Sequence, residues 1–388
     1  MNTLAVFEWV VVCTLYTISA KTNDYMRITV KIGSNVLTRT DGSLDVTRMS
    51  ALTDQIAQLR KQDIEVLLVS SGAVAAGRSE LKNIDGGRMD TVDQRQLYSA
   101  VGQAKLINRY YELFRDHGIE VGQVLTMKES FATRRHYLNQ RNCMQVMLDN
   151  GVLPIINEND TISVTELMFT DNDELSGLVA SMMDSDALVI LSNIDGIYTG
   201  NPKDASSHLI REVEPGKDLS DYIQTEKSGF GRGGMQTKTH IAQKVAQEGI
   251  EVVIANGKRE NILLDVVAQL RQMPECRAVP FTRFVPSTVE ASSVKRWIAH
   301  SDGFAKGAIY LNEGASQRIQ GDEAMSILPV GVMQVDGDFD CHDIIQVKDW
   351  KGNPIGVGRT DFAADEVRQL MGKRNKKPVV HYDYLFLE

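Results

Sequence analysis

Residues 65–77 read EVLLVSSGAVAAG, an apolar run (Val66–Val69) that meets Ser70, Ser71 and Gly72 and then passes into small residues up to Gly77. A run with no polar alternation, ended by glycine, is the mark of a strand buried on both faces. The small residues that follow predict a helix entered without a long loop. Other β-rich runs lie on either side, the first of them short and ended by glycine. RITVKIG (27–33) precedes an amphipathic stretch near Thr47–Gln62, with apolar residues at Met49, Leu52, Ile56 and Leu59. Helix-like segments cover about 93–116 and 133–150. GVLPIIN (151–157) and DALVILS (186–192) are further apolar runs, and a helical stretch over about Met235–Glu248 leads into IEVVIAN (250–256). Buried strands alternating with helices predict an α/β fold on a mostly parallel sheet. Ligands of such sheets bind beyond the carboxyl ends of the strands. The residues just after each run are therefore the candidates for chemistry.

The chain has 388 residues, enough for two or three domains, with 43% hydrophobic and 24% charged residues. That balance excludes a disordered, collagen-like or disulfide-scaffold protein. A net charge of −9 speaks against bulk nucleic-acid binding. Cys13, Cys143, Cys276 and Cys341 are far apart with no C-x-x-C pair, which fits reduced thiols in the cytoplasm better than a zinc site. Residues 4–20 are mostly apolar, yet nothing basic precedes Lys21 and Glu8 interrupts the run. A signal peptide or membrane span is disfavoured, so 1–25 is read as an extension without a role, or as a start placed too early. Near residue 271 the composition changes. Pro274, Pro280 and Pro286 mark a linker over 271–292. Beyond it, GAIYLN, ILPVGVMQVDG, DIIQVKDW and NPIGVGR predict a small, mostly β domain over 293–388.

Several strand ends suit an anion. Lys31, followed by Gly33 and Ser34, could meet a phosphate, although a solvated lysine beside a turn has the same look. Ser71-Gly72 at a helix start could hold a carboxylate or phosphate; serine N-capping with tight packing reads equally well. Asn157-Glu158-Asn159-Asp160 and Asp171-Asn172-Asp173-Glu174 could hold an amino group, a metal or a set of lysines, or be polar turns. Gly229–Lys238 matches G-x-G-x-x-G, but no strand leads directly into it, so a dinucleotide fingerprint is rejected. A glycine loop closing over polyphosphate, with Lys238 aimed at the anion that Lys31 meets, is the functional alternative to a disordered loop.

Taken in order, VKIGSNVLT, VSSGAVAAG, VLPIINEND, FTDNDELSGLVA, LVILSNIDGIYTGNP and GGMQTK resemble the amino acid kinase family, in its branch acting on L-glutamate. The tail resembles a PUA domain. The resemblance covers the chain from about Arg27 and implies a three-layer amino acid kinase-like sandwich over 26–270. It implies ATP-dependent phosphorylation of the γ-carboxylate of L-glutamate, the first step toward proline, with Mg²⁺. Carried over by motif, Ser71, Asn157, Asp160 and Asn172 hold glutamate, with Asp160 on the α-ammonium. Lys31 and Lys238 contact the phosphates and Asp173 organises them. Gly33, Ser192, Asn193 and the run Arg232, Gly233, Gly234, Met235, Gln236, Thr237, Lys238 face ATP, and no protein-held metal is implied. A dimer or tetramer and feedback inhibition by proline are further implications.

The sequence departs from that pattern at three places. Ser192-Asn193 stands where the family has Thr-Asp, Arg232 replaces a threonine of the glycine loop, and 1–25 has no counterpart. Two alternatives are weighed against the reading. One is an RNA-binding or regulatory protein acting through the tail; with 12 Lys+Arg against 14 Asp+Glu over 293–388 the charge disfavours RNA. The other keeps the kinase and changes the acceptor to N-acetylglutamate, aspartate, carbamate or a nucleoside monophosphate. Asp160 disfavours an acylated amine, which carries no charge to pair with.

Overall fold

The computed structural model describes residues 26–387 apart from 84–88, 132, 164–168, 170, 203, 205, 220–221, 223–233, 274–276, 289–296, 299–303, 322–324 and 375–376. The extension 1–25 lies outside the described residues. The first region runs β1 (Met26–Ile32), α1 (Ser34–Leu37), α2 (Val46–Arg60), β2 (Ile64–Ser70), α3 (Ala73–Glu80), α4 (Thr91–Arg115), β3 (Val121–Thr126), α5 (Arg134–Asp149), β4 (Leu153–Glu158) and α6 (Asn172–Met182). It continues with β5 (Ala187–Ser192), the short β6 (Ile197–Tyr198), β7 (Leu209–Ile210) and β8 (Glu212–Val213), α7 (Met235–Gln247), β9 (Glu251–Asn256), α8 (Ile262–Leu270) and β10 (Phe281–Phe284). Aspartates start helices here by taking orphan N–H groups. Asp45 accepts from Arg48 N, and Asp90 from Val92 N and Asp93 N.

Eight strands form one sheet in the order β3-β4-β2-β1-β5-β9-β10-β8, parallel from β3 to β9. Successive side chains of a strand face opposite sides, and the core divides accordingly. Ile28, Val30 and Ile32 of β1 pack with α2, α4 and α8 on one face. On the other face, Leu67 and Val69 meet α5 and α6, while Leu188 and Ile190 meet α7. Helix–sheet–helix gives the three layers.

The stretch read as a linker is corrected in part. Phe281–Phe284 form β10, antiparallel to β9. The reason is local. Thr282 is buried, accepts from Ile197 N at 2.8 Å and donates to Ile210 O at 2.6 Å, while Phe284 fills the core behind α7. The prolines at 280 and 286 bracket this strand.

Beyond it lie β11 (Gly307–Leu311), α9 (Glu313–Ile319), β12 (Val332–Gly337), β13 (Ile344–Lys348), β14 (Pro354–Thr360), α10 (Ala364–Leu370) and β15 (Val380–Leu387). The strands make a separate sheet ordered β12-β11-β13-β14-β15. This sheet packs on the first region: Ile344 and Val357 share a core cluster with Phe131, Phe169 and Leu175, and Trp297 Nε1 donates to Phe131 O at 3.0 Å. Among the described residues no helix is long and apolar enough to cross a membrane.

Candidate active site

Lys31 is the sixth residue of β1, between β2 and β5 near the middle of the sheet. Strand alternation sends its side chain to the face opposite Val30 and Ile32, onto the first turn of α6. There its Nζ lies 2.5 Å from Asp173 Oδ1. Lys238, in the first turn of α7, puts its Nζ 2.8 Å from Asp173 Oδ2. One carboxylate, fully buried, thus divides its oxygens between two ammonium groups. Burial by itself would raise the Asp173 pKa; the charges and hydrogen bonds of Lys31 and Lys238 outweigh it and hold the carboxyl below the usual range. The same pairing raises the Lys238 ammonium against its own burial. Close packing of α6 on α7 makes this convergence reachable. A Cβ at Gly177 would lie 2.8 Å from Ile241 Cγ2.

Asp171 caps α6, its Oδ1 accepting from Asp173 N at 2.8 Å and Glu174 N at 3.1 Å. Its Oδ2 is buried and has no hydrogen-bond partner among the described residues. Burial first, and the neighbouring Asp173 charge second, push its pKa up to about 6 over the opposing pull of both lysines.

Around this charged centre the predicted glutamate residues come together. Asn172 Nδ2 donates to Ser71 Oγ and to Asn157 Oδ1, both at 2.9 Å, and Asn157 Nδ2 donates to Gln103 Oε1 at 2.8 Å. Ser71 does not cap α3. The N-cap is Gly72, at φ 106°, with no side-chain cap bond. Gly72, Ala73 and Val74 therefore turn the start of α3 toward the same space. Asp160 stands to one side, held by Arg95 of α4: Arg95 Nε is 2.9 Å from Asp160 Oδ1, Nη2 bonds the same oxygen, and Nη2 also reaches Glu158 Oε2 at 3.2 Å.

A cavity of about 1070 Å³ joins these groups to the expected nucleotide side. Lys31, Gly33, Ser71, Asn157, Asp160, Asn172, Asp173 and Lys238 line it, with Ser192, Asn193, Gly234 and Met235. Gln236 is exposed and Thr237 half-buried, and neither lines the cavity. Arg232 and Gly233 lie outside the described residues. Ser192 Oγ is 3.4 Å from Asn193 Oδ1. The turn that follows is fastened by Asp195, which accepts from Arg259 Nε and Nη2 at 2.7 Å each and from Asn256 Nδ2 at 3.1 Å. Among the described residues no group of three His, Cys, Asp or Glu side chains is arranged to hold a metal ion.

Sequence reasoning gives Glu158 and Asp171 only a collective role within two polar runs, and gives Arg95 and Arg259 none. Glu158 and Asp171 stand inside quoted motifs, so their position is visible in the sequence and their partners are not. Arg95 and Arg259 carry no local signal, because arginines on helices and loops are ordinarily solvated. Chemically, the arrangement offers two clustered ammonium groups and a helix start to an anion, with the Asp160 carboxylate and the Arg95 guanidinium paired at the same cavity wall.

The amino acid kinase family model matches residues 26–256 and the PUA domain model matches residues 307–382. Glutamate 5-kinase of Bacteroides thetaiotaomicron is 64% identical over 365 residues, covering 94% of this chain and 99% of that protein. Glutamate 5-kinase of Chlorobaculum tepidum is 44% identical over 369 residues, covering 94% and 98%. Among solved structures, carbamate kinase from Giardia lamblia bound to AMP-PNP aligns at a TM-score of 0.49 and 16% identity, over 68% of this chain and 99% of that one.

Proposed function

The chain belongs to the amino acid kinase family, among its glutamate 5-kinases, and from that premise we propose how the residues above carry out the reaction. The enzyme transfers the γ-phosphoryl group of ATP to the γ-carboxylate of L-glutamate, giving γ-glutamyl phosphate and ADP, the first step of proline biosynthesis. A free γ-carboxyl group titrates at about 4.3, so at neutral pH the acceptor is already an anion and needs no general base. What opposes reaction is repulsion between two anions and the charge spread over the transferring group. Positioning and fixed positive charge answer both.

The observation that carries this reading is the sharing of Asp173 by Lys31 and Lys238. The two lysines, held from different elements, close on the transferred phosphoryl group, and Asp173 sets their spacing. Ser71, Asn157 and Asn172 align the γ-carboxylate, and Asp160 receives the α-ammonium. Ser192, Asn193 and the start of α7 take the nucleotide. Bound with ATP, Mg²⁺ neutralises phosphate charge; Asp171, with one buried carboxylate oxygen lacking a hydrogen-bond partner among the described residues at the cavity wall, is the side chain that fits it. The same reading divides the chain into a kinase domain from 26, closed by β10, and a PUA-like domain from about 293. It also carries inhibition by proline, assembly as a dimer or tetramer, and a cytoplasmic location.

Incubation with ATP, hydroxylamine and a panel of acceptors tests the assignment, because only acyl phosphates form hydroxamates. Glutamate should give the product at the highest kcat/KM. A higher value with N-acetylglutamate or aspartate would move the enzyme to another acceptor, and no acyl product from any carboxylate would refute it.

A further inference from the structure

The residues assigned to glutamate leave its α-carboxylate without a cation. Ser71, Asn157 and Asn172 are uncharged, and Lys31 and Lys238 are both paired with Asp173. Asp160, the receiver of the α-ammonium, is itself paired with Arg95 through Oδ1, so an incoming amino acid meets the guanidinium beside its own ammonium site. We propose that Arg95 exchanges Asp160 for the α-carboxylate of the substrate and thereby selects amino acids with both head groups free. The inference rests on the glutamate assignment and adds the group that reads the head.

Three features favour the exchange. First, Arg95 lies at the cavity wall with its side chain 17% exposed, so it can turn inward without leaving a core. Second, it has a tether. Glu158 is buried; its Oε1 accepts from Ser163 Oγ and Phe169 N, both at 2.9 Å, and its Oε2 takes Arg95 Nη2. Arg95 can thus release Asp160 while Glu158 keeps the guanidinium beside it. Third, the charges match in place. An α-amino acid presents its ammonium and carboxylate on one carbon, which calls for an anion and a cation side by side, as Asp160 and Arg95 are. The exchange turns one ion pair into two and leaves neither charge of the head group unpaired. A guanidinium fork also suits a carboxylate better than a point charge does. Arg78, another cation at the wall, packs over the Tyr98 ring, 5.6 Å from its centroid.

The test compares L-glutamate with its α-amide, isoglutamine, which keeps the ammonium and the γ-carboxylate but loses the α charge. Both are titrated calorimetrically into the full chain and into Arg95→Met and Arg95→Lys. The wild type should bind the α-amide about 10- to 100-fold more weakly, the loss expected for one charged hydrogen-bonded contact. Arg95→Met should weaken glutamate by a similar factor and shrink the preference to within about 3-fold, whereas Arg95→Lys should retain a preference. A full wild-type preference in Arg95→Met would overturn the proposal, leaving Arg95 as a brace for Asp160. Should Arg95→Met fail to fold, equal wild-type affinity for the two ligands overturns it and unequal affinity lost in Arg95→Gln supports it. Absence of glutamate-dependent ADP formation by the wild type would instead remove the kinase assignment, and this inference with it.

Discussion

Lys31 and Asp173 form a buried ion pair, 2.5 Å from Nζ to Oδ1, between the end of a central strand and the first turn of the helix packed on it. Lys238 takes the other oxygen of the same carboxylate. Removing Asp173 would leave two largely buried ammonium groups facing each other without their shared counter-charge. Asp173→Ala should cost about 3–5 kcal/mol of stability by denaturant unfolding, as for other broken buried pairs. Lys31→Ala should cost less, because Lys238 still neutralises Asp173. Equal losses would show that the carboxylate is not shared.

The two ends of the cavity should separate in kinetics. Lys31→Ala and Lys238→Ala each should lower kcat by about 10²-fold or more, the loss of a contact made in the transition state. Asp160→Ala should act mainly on the KM for glutamate. A raised KM for ATP with normal glutamate affinity in that variant would mean that the two ends are assigned backwards.

Acid should reveal Asp171. Its pKa is raised to about 6 by burial and by Asp173, so it loses its charge as pH falls through that value. If its ionised form serves the nucleotide phosphates and their Mg²⁺, kcat/KM for ATP should fall below about pH 6, and Asp171→Asn should lose that limb. Asp173 works with the opposite sign on stability. Its lowered pKa gives a contribution fully present above the unfolded value of about 3.9 and lost as pH falls through the folded value beneath it. Lys238, raised, contributes below about pH 10.4 and loses that contribution as pH climbs through its folded pKa. Urea midpoints across pH for wild type and Asp173→Asn, with the acid slope reduced in the variant, check this.

Gly102 of α4 should not tolerate a methyl group. A Cβ there would lie 1.8 Å from Ala73 O, a backbone atom of α3 that cannot rotate away. The gain in helix propensity for Gly→Ala is about 1 kcal/mol, and overpacking costs about 1–3 kcal/mol or more, so the clash wins. Gly102→Ala should lower Tm and, by moving α4 from α3, raise the KM for glutamate as Arg95 shifts from Asp160. A Tm equal to that of the wild type would contradict the packing.

The buried strands are readable in the sequence because both faces are covered. β2, β4, β5 and β9 each carry a continuous apolar run, and a run of that kind, too short for a buried helix and closed by glycine or a polar turn, fits a strand in mid-sheet; β1 (MRITVKI) is read instead from its β-branched residues and the glycine that ends it. β3 (VGQVLT) is not readable. It is an edge strand, half-exposed and interrupted by Gly122 and Gln123, so its apolar signal is weak. β10 is hidden by its prolines, which bracket a strand as readily as they fill a linker. In the site, Asp173 is legible through its motif and its position after a strand. Arg95 is not, because nothing local distinguishes it from a solvated helix residue; the contact between α3 and α4 and the path of the loop after β4 decide that it meets Asp160 and Glu158.

A crystal structure of the full chain with glutamate, Mg²⁺, ADP and aluminium fluoride would show the transfer geometry itself. Lys31 Nζ and Lys238 Nζ should both lie within about 3.2 Å of the fluoride ligands of one planar group, with the glutamate γ-carboxylate in line behind it. Ammonium groups contacting separate ligands, or only one of them reaching the fluoride, would contradict the shared clamp.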